Sequence, residues 1–252
     1  MRIDRRLIAA LIPAALLCAG CHAGPARRGE HPSARLLETG PGAKVSKRQA
    51  ADVEIAMGRT MEESGDVAGA EAAYARALEK DPRRADAEGR LAVLAHRRGD
   101  EAASDDHFAK ALKLSPDDPE ILCDRGYSLY LRRSWADAEA HLRKALARDP
   151  RNARAHNNLG LALARQGDRD GAMAEFARAG LDRADAQANL ALASAMEGRI
   201  DEARELYAAA VAAKPDSPSA REGLRAAGVA LASRDAPRVD PAVARASAAR
   251  GD

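Results

Sequence analysis

The sequence predicts an all-α fold: an α-solenoid of about five helix-turn-helix repeats with a C-terminal capping helix. Three observations carry that prediction. Pro82, Pro116 and Pro150 are equally spaced along the chain. Aligned on those prolines, small residues recur in register at Gly58, Ala92, Gly126, Gly160 and Ala191, and alanine or serine at Ala70, Ser104, Ala138, Ala172 and Ala203. A bulky residue follows at Tyr74, Phe108, Leu142, Phe176 and Tyr207, then alanine at Ala77, Ala111, Ala145, Ala179 and Ala210. Two helices approach closely only where one presents almost no side chain and the other inserts a large one. Aromatics make up 3% of the chain and β-branched residues are few, so the core is built of Ala and Leu, which suits packed helices and argues against a sheet.

The elements follow in order along the chain. Arg2, Arg5 and Arg6 precede an apolar run from Leu7 to Gly20, which is too short to span a bilayer. A positive start, an apolar middle and small residues before a break read as an export signal over 1–20. Residues 21–50 carry Pro25, Pro32 and Pro41 among glycines with no apolar period, and are expected to be a flexible tether. From His22 to Gln49 six basic residues face Glu30 and Glu38, a charge of +4 suited to an anionic membrane surface or to a solvated linker. The repeats are placed at 51–84, 85–118, 119–152, 153–183 and 184–217. Gly65-Asp66, Gly99-Asp100 and Gly167-Asp168 each read as a helix stop followed by a helix start. In repeat three Arg133-Ser134 replaces that pair, and Arg125 takes the row of Leu91 and Leu159, so a cation enters a core position and must snorkel or pair. Repeat four is shorter: Gly180 ends its second helix early and the next repeat starts at Ala184, just under one helical turn ahead of the period, so a local change in twist is expected. Over 218–233 one more helix, with Leu224, Val229 and Leu231, is expected to cover the end of the stack, as solenoids require. Residues 234–252 show no clear apolar face and read as a disordered tail.

The period and the columns resemble tetratricopeptide repeats, each a pair of antiparallel helices. The leading Leu-Gly pair of that family stands intact as Leu159-Gly160 and loosely as Met57-Gly58, Leu91-Ala92 and Leu190-Ala191. At the N-terminus, Ala19-Gly20-Cys21 resembles a bacterial lipoprotein box, with Cys18 in the place usually held by leucine. That resemblance implies a lipid anchor on Cys21 and a chain facing the periplasm; ordinary cleavage after Ala23, releasing a soluble protein, is the alternative. Asn157-Asn158-Leu159-Gly160, the short helix after it and Ala188-Asn189-Leu190-Ala191 are also similar to repeat lipoproteins that help to assemble tight-adherence pili.

In the resembled family a stripe of each first helix lines a concave groove for extended peptides or partner helices. Here that stripe gives Arg154, Asn157, Asn158, Leu161 and Arg165 in repeat four, Asp124, Tyr127 and Tyr130 in repeat three, and Asn189 and Leu192 in repeat five, at one helical spacing. Together they make up the candidate partner-binding set. Asn158 and Asn189 share a row, and a side-chain amide carries both donor and acceptor for a peptide backbone; bonding to their own helix neighbours is the other reading. The first two repeats offer Asp52, Arg59, Glu62, Glu63, Asp86, Arg90, His96 and Arg97, a mixed-charge face that reads as solvated.

Catalytic constellations are absent from the sequence: there is no glycine-rich phosphate loop, no nucleophile elbow and no His-Glu zinc helix. His107 and His141 share a row without a third ligand, so no metal site and no cofactor is expected. Nucleic acid is excluded by the net negative repeats and the scarcity of aromatics. Cys123 is left as a lone thiol, read as a small hydrophobe, and Trp135 as a packing residue. The expected function is therefore a non-catalytic protein-protein interaction scaffold of the cell envelope. An assembly factor for a pilus or secretion apparatus, a self-associating structural protein and a regulatory subunit of an envelope enzyme are the alternatives.

Overall fold

The computed structural model describes residues 45–235. The segment expected to be an export signal, Cys21, most of the expected tether and nearly all of the expected tail lie outside the described residues. Among the described residues every regular element is a helix, and none is long and apolar enough to cross a membrane. The chain divides into two compact units, one ending at Gly180 and the other beginning at Leu181.

The first unit holds four helical hairpins. They are α1 (Lys47–Glu63) with α2 (Val67–Lys80), α3 (Ala85–Arg97) with α4 (Glu101–Leu114), α5 (Pro119–Leu131) with α6 (Trp135–Arg148), and α7 (Ala153–Gln166) with α8 (Arg169–Arg178). α1 starts ahead of the repeat boundary expected at Ala51, because Ser46 and Gln49 form a reciprocal capping box: each side chain accepts from the other's backbone N–H, at 3.2 and 2.9 Å. The end of the expected tether is thus helical.

Within each hairpin the small-residue column meets the bulky one. A Cβ built on Gly58 would lie 2.7 Å from Tyr74 Cε1, one on Gly126 2.6 Å from Leu142 Cγ, and one on Gly160 2.6 Å from Phe176 Cδ1. The glycines are there because the partner side chain occupies the space of a methyl group. Tyr74, Phe108, Leu142 and Phe176 are fully buried, and removing any of them would leave a cavity between two helices.

The turns follow the same logic. Gly65, Gly99 and Gly167 hold positive φ, and the Asp after each accepts from a backbone N–H of the next helix: Asp66 from Gly69, Asp100 from Ala103, Asp168 from Gly171. In repeat three Arg133 carries φ 64 in the glycine's place, at a cost of roughly 1–2 kcal/mol, and Ser134 makes no side-chain cap bond. Arg125 pairs as its position demands: Nη1 lies 2.5 Å from Asp105 Oδ1, and the guanidinium carbon 5.2 Å from the Phe108 ring centroid. Arg132 reaches the same Asp105 oxygen at 2.6 Å. Burial pushes the Asp105 carboxyl up, but the bonds from Arg125 and Arg132 outweigh it and hold the group below the usual carboxylate range. α8 is 10 residues long, capped at Ala179 and stopped by Gly180 at φ 86.

The second unit contains α9 (Arg183–Met196), α10 (Ile200–Ala213) and α11 (Pro218–Asp235). Ala188, Ala191, Ala195, Ala203, Tyr207, Ala210, Ala220 and Ala227 form its core. Lys214 Nζ ties the two ends of the hairpin together, 3.0 Å from both Asp182 Oδ2 and Asp185 Oδ2. α11 covers this hairpin with small residues. A Cβ on Gly223 would stand 2.2 Å from Tyr207 Cε1, so α11 lies on that ring through Ala220, Gly223 and Ala227. Val229 was expected in this contact and is instead 60% exposed. Two residues past Ala227 is about 200° around the helix, which puts Val229 on the opposite side.

Candidate partner-binding face

The first helices α3, α5 and α7 lie side by side, and their facing stripes meet. Arg90 on α3 grips Glu62 of α1 with two bonds, Nε to Oε2 at 2.9 Å and Nη2 to Oε1 at 2.6 Å. The Tyr74 hydroxyl donates to the same Glu62 Oε2 at 2.7 Å. On its other side Arg90 Nη1 lies 3.4 Å from Asp124 Oδ2 on α5. Arg154 on α7 reaches Asp124 Oδ1 and Glu120 Oε2, both at 2.7 Å, and Asn152 donates to Glu120 Oε1 at 3.0 Å. Arg84 similarly joins Asp52 and Asp86.

The charged face of the first repeats is therefore not simply solvated, as its composition suggests. The Glu62 side chain is 8% exposed and that of Asp124 12%. The reason is the path of the stack, which brings residues 28 to 34 positions apart into bonding distance, whereas a charge read from the sequence has only its own helix for company. Burial and the Glu62 bond both push the Tyr74 phenol well above its usual range.

The remaining candidates fall into three groups. Tyr127 is half-buried and stacks on the buried Tyr130, with ring centroids 6.1 Å apart and planes 19° off parallel. Leu161 is half-buried, and Leu131 beside the tyrosines is exposed. Asn157, Asn158 and Arg165 are buried. Asn158 Nδ2 faces Cys123 Sγ at 3.7 Å, so part of the stripe assigned to a partner packs on the neighbouring first helix. Cys123 is fully enclosed, and burial pushes its thiol up to about 12, which leaves it protonated and inert at neutral pH. Asn189 and Leu192 stand on α9 of the other unit, both half-buried, with Leu192 against its alanine core.

The hairpins, their columns and their turns agree with what the known families show. A family model of the tetratricopeptide repeat matches residues 55–119, 123–183 and 172–218. The chain belongs to the tetratricopeptide repeat family. Three solved structures similar to it are PilF of Pseudomonas aeruginosa, the tetratricopeptide repeat protein YrrB, and the thermophilic protein TTC0263 of Thermus thermophilus. PilF is 22% identical with a TM-score of 0.55, over 81% of this chain and 99% of that one. YrrB is 23% identical with a TM-score of 0.52, over 78% and 98%, and TTC0263 24% identical with a TM-score of 0.54, over 71% and 100%. At these identities the likeness is one of fold. No curated protein matches the chain.

Within this tetratricopeptide framework two contacts were not read from the sequence. In repeat two Glu88 of α3 meets His107 of α4, Oε2 to Nδ1 at 2.6 Å. In repeat four the same two positions are exchanged: His156 of α7 meets Glu175 of α8 at 2.6 Å, and its Nε2 lies 3.1 Å from Pro150 O. Glu88 and His156 hold one position two periods apart, as do His107 and Glu175; that double exchange was the available signal. His141, expected to neighbour His107, instead places Nδ1 3.0 Å from Asp137 O. The second contact is Arg165 over the Trp135 ring, 4.9 Å from its centroid, which makes Trp135 a clamp between α6 and α7.

Proposed function

We propose that this tetratricopeptide repeat protein is a non-catalytic protein-protein interaction scaffold of the bacterial cell envelope, holding a peptide or helix of its partner along the first-helix face. The observation that carries this is Asn158. Its amide is buried, its nitrogen has only a thiol as acceptor, and its Oδ1 has no hydrogen-bond partner. An unpaired buried acceptor costs about 1–3 kcal/mol, and a peptide N–H relieves it once the contact between α5 and α7 opens enough to admit one. Arg90, Asp124 and Arg154 are already engaged with each other, which leaves recognition to amide and apolar groups, Tyr127, Leu131 and Leu161 among them. YrrB, of the same fold, is described as having an unusual peptide-binding site. Placement in the envelope rests on the basic-then-apolar start and on the lipoprotein-like Ala19-Gly20-Cys21. Within this class, assembly of a pilus or secretion apparatus is the role favoured by the resemblance around Asn157-Asn158-Leu159-Gly160.

Asn158→Ala tests it. Capture of the partner crosslinked to the protein in the native envelope weakens severalfold, about the worth of one lost hydrogen bond, while Tm does not fall. Unchanged capture contradicts the proposal.

A further inference from the structure

Tetratricopeptide arrays are expected to behave as quasi-one-dimensional stacks, in which each repeat is stabilised only by its immediate neighbours. In the first unit the polar contacts between neighbouring repeats share their members. Its first helices are joined by one unbroken chain of polar contacts that passes through all four repeats: Tyr74 to Glu62 in repeat one, Glu62 to Arg90 in repeat two, Arg90 to Asp124 in repeat three, Asp124 to Arg154 in repeat four. The last link doubles back, since Arg154 and Asn152 both hold Glu120 of repeat three.

We infer that Asp124 is the junction of a charge ladder that makes repeats one to four open as a single cooperative unit. Asp124 is the one carboxylate in the ladder shared by two arginines from opposite sides, Arg90 at 3.4 Å through Oδ2 and Arg154 at 2.7 Å through Oδ1. Repeats two and four do not adjoin, yet both guanidinium groups depend on this carboxylate. If repeat four opens, Asp124 loses its closer partner and is left with the longer contact to Arg90 alone. If repeat one opens, Arg90 loses both Glu62 bonds and falls back on the longer Asp124 contact. Either event is felt beyond the adjoining repeat, because linked polar groups polarise and constrain one another. Arg148–Asp117 lacks this property, an isolated pair with both side chains exposed, of a kind that contributes little, and Asp105 on α4, held by Arg125 and Arg132, ties repeat two to repeat three alone. The ladder is independent of what the face binds.

The test uses the full chain and follows amide exchange, peptide by peptide, through increasing urea. In the unaltered protein α1 to α8 lose protection together. Asp124→Asn keeps the shape and removes the charge; it separates α1–α4 from α5–α8 into two steps, and the less stable half exchanges about tenfold faster in water. Arg90→Lys is the second variant, for use if Asp124→Asn fails to fold: it retains one bond to Glu62 but loses the fork that also reaches Asp124, and the same separation follows. Asp117→Asn, which removes an exposed pair, leaves one step. A single step retained in both Asp124→Asn and Arg90→Lys, at whatever urea concentration, overturns the inference.

Discussion

Phe176→Ala lowers the unfolding free energy of the first unit by about 3–5 kcal/mol, measured by urea denaturation. Phe176 is fully buried between α7 and α8, against a glycine whose absent Cβ would lie 2.6 Å from the ring. Truncation leaves a cavity that neither helix can close, since Gly160 has no side chain to move into it and Ala172 only a methyl. Phe176→Leu costs much less, because repeat three already packs Leu142 on Gly126 in the same row with the same 2.6 Å approach. An alanine variant as stable as the parent would mean that the hairpin is not held by this column.

Glu175→Ala is the second large effect, about 2–3 kcal/mol. The carboxylate is buried, with Oε2 2.6 Å from His156 Nδ1, and its loss strands one imidazole nitrogen inside the hairpin while the other stays on Pro150 O. Repeat two supplies the internal control, for it carries the same pair with the residues exchanged, Glu88 on the first helix and His107 on the second. The double exchange His156→Glu with Glu175→His should therefore recover most of the stability that either single change loses. If the double variant is no better than the singles, the pair does not contribute through its mutual contact.

These two positions also show what was legible in the sequence. Gly160 and Phe176 belong to columns that repeat at a fixed spacing, and a column is a steric statement that each hairpin must satisfy by itself; the fold followed from it directly. The early end of repeat four at Gly180 was legible for the same reason, since a positive φ residue stops a helix whatever its neighbours do. The His-Glu exchange was present in the sequence across two periods, but only as two pairs of unlike residues, which a search for matching columns passes over. Glu62, Arg90, Asp124 and Arg154 were less legible still. Each is an ordinary charge on an amphipathic helix, and its partner is set by the rotation between repeats, which the period does not specify. Of the apolar residues expected to seat the C-terminal helix, Leu224 packs on the alanine core and Val229 does not: Val229 is more apolar than Gly223, yet the ring of Tyr207 leaves room only for the glycine.

The same distinction bears on the binding face. Part of the stripe expected to meet a partner, Asn158 and Arg154, is drawn into contact with α5, so the groups of that stripe that reach the surface are the apolar ones around Tyr127 and Leu161. The most direct measurement of that function is site-specific photocrosslinking in the native envelope, with a benzophenone amino acid placed either at Leu161 on α7 or at the exposed Lys144 on α6. A scaffold that works through its first-helix face gives a discrete protein adduct from Leu161 that weakens with Asn158→Ala, and none from Lys144. No adduct from Leu161, or the same adducts from both positions, would contradict it.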